Sequence, residues 1–119
     1  NKENEIRNKF KLTIEENLLE DVIDYLKETG YINDYNYIER FVNECMALKN
    51  LSIKELKYKL YSKGINRTLL DEYIQKNYEE LEEYERKSAQ NIKLKKQNSM
   101  NEDEIKIYLL KKGYKGDNI

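Results

Sequence analysis

Histidine is absent from this 119-residue chain. With it go the imidazole general base, the His-ligated metal and the Ser-His-Asp triad. The single cysteine, Cys45, makes neither an intrachain disulfide nor a four-cysteine zinc site. It fits a reducing compartment, so a cytoplasmic location is expected. No apolar run approaches the ~18 residues of a membrane span, and no charged-apolar-small signal opens the chain. Neither charge sign is in excess: 22 Lys and Arg face 23 Asp and Glu, for a net charge of -1. That balance argues against a strong general affinity for nucleic acid. Proline is absent and glycine occurs 4 times. A chain with so few breakers reads as mostly helical.

What is present suits thin amphipathic helices. Charged residues make up 38% of the chain and mean hydropathy is -0.99. Leu, Ile, Val and Phe together number 30, above the ~20% level below which chains tend to stay disordered. Periodicity and stop signals predict helices over 2–12, 15–29, 34–49, 52–63, 66–78, 80–97 and 101–112. Ile38, Phe41, Val42, Cys45 and Met46 form one apolar stripe, and Leu18, Leu19, Val22, Ile23 and Leu26 form another. Ser52 with Glu55, and Asn101 with Glu104, have the spacing of capping boxes. Asp34 can cap the helix over 34–49. Gly30, Gly64 and Gly113 each follow a helical stretch, where a left-handed residue is easiest for glycine.

A period of about fifty residues runs through the chain. Glu5-Ile6 with Phe10 matches Glu55-Leu56 with Leu60, and again Glu104-Ile105 with Leu109. Lys63-Gly64-Ile65 matches Lys112-Gly113-Tyr114, while the first copy runs through Thr13 to Ile14 without a glycine. Leu18-Leu19 with Val22-Ile23 corresponds to Leu69-Leu70 with Tyr73-Ile74. The expected architecture is all-α, in tandem three-helix repeats incomplete at both ends. Residues 1–32 would hold the second and third helices of one repeat, 33–79 a full repeat, and 80–119 part of a third. Lys115 to Ile119 should open a further helix, so the chain reads as a piece of a longer protein.

The most specific string is Gly30-Tyr31-Ile32-Asn33-Asp34-Tyr35-Asn36-Tyr37-Ile38-Glu39-Arg40-Phe41-Val42. It resembles the glycine-aromatic-aliphatic-x-Asp motif of the RecX family, followed by a Phe or Tyr and then Phe-Val. Ile53 to Ile65, an amphipathic helix running into Lys63-Gly64-Ile65, looks like the next block of that family. No single motif is diagnostic; the ordered set is, and it covers essentially the whole chain. The resemblance implies an all-helical regulator without enzymatic chemistry or cofactor. Such a protein binds the filament of the recombinase RecA on DNA and restrains its extension, ATP hydrolysis and strand exchange. Recombination, repair and the SOS response are the context it implies. A monomer is expected, with no membrane contact and with DNA contact indirect or weak.

No carboxylate pair stands out as an acid-base site, and the acids of the segment over 79–96 read as a solvated helix face whose charge order suits its dipole. Cys45 reads as a buried small hydrophobe. Tyr58 and Tyr61 align with Ile107 and Leu110 in the last copy, which favours packing for both. Residues 52–67 carry Lys54, Lys57, Lys59, Lys63 and Arg67 against Glu55 alone. This is the candidate electrostatic contact with an acidic partner surface. An alternative is a helix-turn-helix module reading DNA with the helix after Gly64. Asp71 and Glu72 on that helix argue against it.

Overall fold

The computed structural model describes residues 2–119, except the side chains of residues 9–12, 23, 26, 27, 29 and 31. Its helices are α1 (Lys2–Leu48), α2 (Ile53–Ser62), α3 (Arg67–Lys76), α4 (Tyr78–Lys96) and α5 (Glu102–Lys111), followed by a 3₁₀ turn at Gly116–Asn118. No strand occurs among the described residues. The chain divides into two compact units, Asn1–Asn33 and Asp34–Ile119.

The predicted breaks near residue 13 and at Gly30 are not made. One helix, α1, replaces the three expected over 2–12, 15–29 and 34–49. Asp34 is interior rather than an N-cap, and Gly30 is helical without positive φ. The physical reason is that no proline interrupts this stretch. A lone glycine costs a helix only ~1 kcal/mol, which the flanking hydrogen bonds outweigh. In the first unit Leu18, Leu19 and Val22 are exposed. The predicted stripe is therefore not a buried one here; Ile23 and Leu26 lie outside the described side chains.

The second unit follows its predicted pattern closely. Ile38, Val42 and Cys45 of α1 are buried with Leu56 and Leu60 of α2 and with Leu69, Leu70 and Tyr73 of α3. Leu81 and Tyr84 of α4 complete this core, and Phe41 and Met46 pack against it. Ala89, Ile105, Leu109 and Tyr114 make a second, smaller cluster. Burial raises the Cys45 thiol and pushes the Tyr73 hydroxyl up to about 12.

Both predicted capping boxes form. Ser52 Oγ accepts the Glu55 N–H at 3.0 Å, and Glu55 Oε1 accepts the Ser52 N–H at 3.1 Å. Asn101 and Glu104 repeat this at 2.8 and 3.3 Å. The two helices also end alike. Gly64 (φ 86°) and Gly113 (φ 96°) are left-handed. Their N–H groups donate to the carbonyls of Tyr61 and Leu110, and the next N–H groups, of Ile65 and Tyr114, donate to Leu60 and Leu109. This is a Schellman motif with its apolar contact, twice. After Gly64 the chain builds the ten-residue helix α3, whereas after Gly113 it makes only the 3₁₀ turn.

Candidate partner-binding surface

α2 buries Ile53, Leu56 and Leu60 and turns its other side to solvent. The predicted basic residues are spread over two adjoining grooves that share Lys54 and Tyr58, except Lys63, which stands apart from both. Lys54, Lys57 and Arg67 line an open groove with Tyr58, Tyr61 and Leu70. Lys59 lines an adjoining groove with Lys54, Tyr58, Lys111 at the end of α5 and Lys112 just after it. Lys63 is elsewhere: its Nζ stands 5.3 Å from the centroid of the Phe41 ring, a cation–π contact. Lys57 is already engaged, with Nζ 2.9 Å from Asp71 Oδ1. The hydrogen bond from Lys57 holds the Asp71 carboxyl below its ordinary range.

The expectation of packing for Tyr58 and Tyr61 is overturned. Tyr58 is 73% and Tyr61 60% exposed, and their counterparts Ile107 and Leu110 are exposed as well. Apolar residues at matching positions were the signal for burial. Here α2 and α5 each have only one face covered, by their own cores, so the flank stays open. Lys111 and Lys112 belong to the same surface but were missed, because only the contacts of Ser52 and Lys54 with the turn after α5 bring them there, and no spacing in the sequence reveals those.

The relative position of α2 and the α5 turn is fixed by close contacts. Ser52 Oγ donates to the Lys112 carbonyl at 2.7 Å while accepting its own cap bond. A Cβ at Gly113 would stand 2.8 Å from Lys54 Cβ, so glycine is required there by contact as well as by φ.

Beneath the surface lies a buried polar group that corrects the reading of α4 as solvated. Glu82 and Glu85 are buried. Glu85 Oε1 accepts the Ile53 N–H at 2.9 Å, at the first turn of α2, where a carboxylate also complements the dipole. Glu85 Oε2 accepts the Lys115 N–H at 3.4 Å and the Asn118 side-chain amide. Glu82 accepts the same amide at 2.6 Å and pairs with Lys115 Nζ. Burial pushes the Glu82 carboxyl up, but the hydrogen bonds from Asn118 and Lys115 outweigh it and leave it lowered. Glu82 in turn raises Lys115. Nearby, Tyr84 donates to the Lys49 carbonyl at 2.6 Å and accepts the Leu51 N–H at 3.0 Å, fixing the turn from α1 into α2.

On α3, Leu69, Leu70 and Tyr73 are committed to the core, and Asp71 and Glu72 lie on its solvent side. Arg67 and Lys76 are exposed on the same helix, so that side has no net positive charge to offer phosphate. Among the described residues no group of His, Cys, Asp and Glu is arranged to hold a metal ion, and no helix is long and apolar enough to cross a membrane.

No family model matches the chain, and no solved structure matches it. Curated proteins do. A protein named Regulatory protein RecX from Clostridium beijerinckii is 34% identical over 94% of this chain and 55% of its own length. A protein of that name from Clostridium acetobutylicum is 31% identical over 94% and 56%. One from Caldanaerobacter subterraneus is 29% identical over 98% and 59%. The chain thus spans a little over half the length of these relatives. The similarity extends across all five helices, and the residues it spans belong to the RecX family of regulatory proteins.

Proposed function

We propose that the chain is a non-enzymatic regulator that binds RecA filaments on DNA and restrains their extension, ATP hydrolysis and strand exchange. Similarity to proteins named as RecX regulators over 94% of the chain carries the reading. The docking surface is assigned to Lys54, Lys57, Lys59, Lys63 and Arg67, and residues 33–79 and 80–119 to successive repeats. The basic residues are at the surface while Ile53, Leu56 and Leu60 hold the fold from beneath. Exposed charges are screened over ~8 Å at physiological salt, so they chiefly speed and orient association.

Co-sedimentation with preassembled RecA filaments tests this. The chain should pellet with filaments. Replacing Lys59, Lys63 and Arg67 by Glu should weaken pelleting most at low salt, with helicity by circular dichroism unchanged. Pelleting by the folded variant equal to the parent at every salt concentration rejects the surface. Failure of the parent chain to pellet, or to slow ATP hydrolysis, rejects the function.

A further inference from the structure

The side of α2 that carries the cations also leaves two aromatic rings in water. Tyr58 and Tyr61 are three residues apart on one helix, so they share a face. Lys54 and Tyr58 line both grooves, which makes the two grooves one strip. Its cations are Lys54, Lys57, Lys59, Arg67, Lys111 and Lys112. Its acids are Glu55, held in the capping box, and Asp71, paired with Lys57.

We infer that this strip binds single-stranded nucleic acid, with Tyr58 and Tyr61 stacking on unpaired bases and the lysines and Arg67 contacting phosphates. Exposed aromatics flanked by cations are what such a ligand requires, because each nucleotide offers both a π face and a negative charge. An acidic protein segment matches the cations but leaves both rings unused. A duplex hides the base faces and needs an element to enter a groove, for which α3 offers a side without net positive charge. The strip is preorganised, since the Ser52–Lys112 bond and the close approach at Gly113 hold its two halves together. With Lys57 engaged, about five phosphates are contacted, and log K should fall with log salt at a slope of about -3.5. So few contacts also agree with a chain whose net charge is -1.

Fluorescence anisotropy of the free chain with labelled dT20 and rU20, at a series of salt concentrations from 50 to 200 mM, tests this. Binding of either strand with the stated slope supports it, and the tighter one identifies the natural ligand. Tyr58→Ala and Tyr61→Ala should each weaken binding roughly tenfold. Lys54→Gln should reduce the slope by about 0.7. Lys87→Gln, on α4 and paired with Glu83, should change nothing. Three results overturn the proposal: no binding at 50 mM salt by folded protein, binding indifferent to both tyrosine changes, or a Glu-rich peptide binding as tightly as dT20. The last assigns the strip to an acidic protein segment. Each leaves the filament reading standing, because co-sedimentation measures filament binding separately.

Discussion

Residues 52–65 and 101–114 are built alike, yet they lead into different structures. Each begins with a capping box and ends in a left-handed glycine. After the first, Leu69, Leu70 and Tyr73 enter an apolar core. After the second, Asn118 and Lys115 are held by two buried carboxylates. Residues 5–14 carry the same apolar spacing without the cap and the glycine, and there the helix runs straight on. The apolar pattern alone thus sets which face is sticky, while the cap and the glycine decide where the helix starts and stops.

The largest effect is expected from Glu85→Ala, which loosens the second arrangement and the start of α2 together. It strands the Ile53 and Lys115 N–H groups and removes one acceptor of the Asn118 amide. A loss of about 3 kcal/mol is expected from unfolding in urea. A loss below ~1 kcal/mol would mean that water replaces the carboxylate. The glycines come next. Gly113→Ala should cost about 3 kcal/mol, combining left-handed strain with overlap on Lys54. Gly64→Ala should cost ~1–2 kcal/mol, because its Cβ meets nothing within 4 Å and only the strain applies. Equal losses at the two sites would show that the Lys54 contact relaxes freely.

Acid should sharpen the contrast further, with a smaller effect. The folded pKa of Glu82 lies below its ordinary value of 4.5. Its contribution is therefore complete above the unfolded pKa and is lost as pH falls through the folded one. Urea midpoints measured from pH 6 to pH 3 should fall for the parent chain, and less steeply for Glu82→Gln. Gly30→Ala is the smallest change and has the opposite sign. The glycine is helical, and a Cβ there meets nothing within 4 Å. A gain of up to ~1 kcal/mol is expected from the same urea measurement. Destabilisation would instead indicate a break at Gly30.

Much of the second unit could be read from residues alone. Ile38, Val42 and Cys45 announce their face by spacing, and Ser52, Asn101, Gly64 and Gly113 announce helix ends by local chemistry that needs no distant partner. The misreadings share one cause. Whether Gly30 breaks a helix depends on what the flanking turns gain. Whether Tyr58 is covered depends on a neighbour that spacing cannot reveal. Glu82 and Glu85 look like any surface acids until the chain thirty residues on supplies the donors that make their burial tolerable. The basic residues of 52–67 were legible as a set. Their division between two grooves and the Phe41 ring was not, since it arises from side-chain direction.

The lone thiol gives this protein an internal clock. Cys45 is 4% exposed, and burial raises its pKa. A disulfide reagent reaches it only when the segment of α1 from Asp34 lifts from α2 and α3. With no other thiol in the chain, the rate of colour release from a disulfide reagent, divided by that of the unfolded chain, gives the opening free energy of this one helix. The measurement needs no engineered label, and the folded chain is probed without denaturant. Repeated with filament or oligonucleotide bound, it would show whether occupying the surface of α2 tightens the core beneath it.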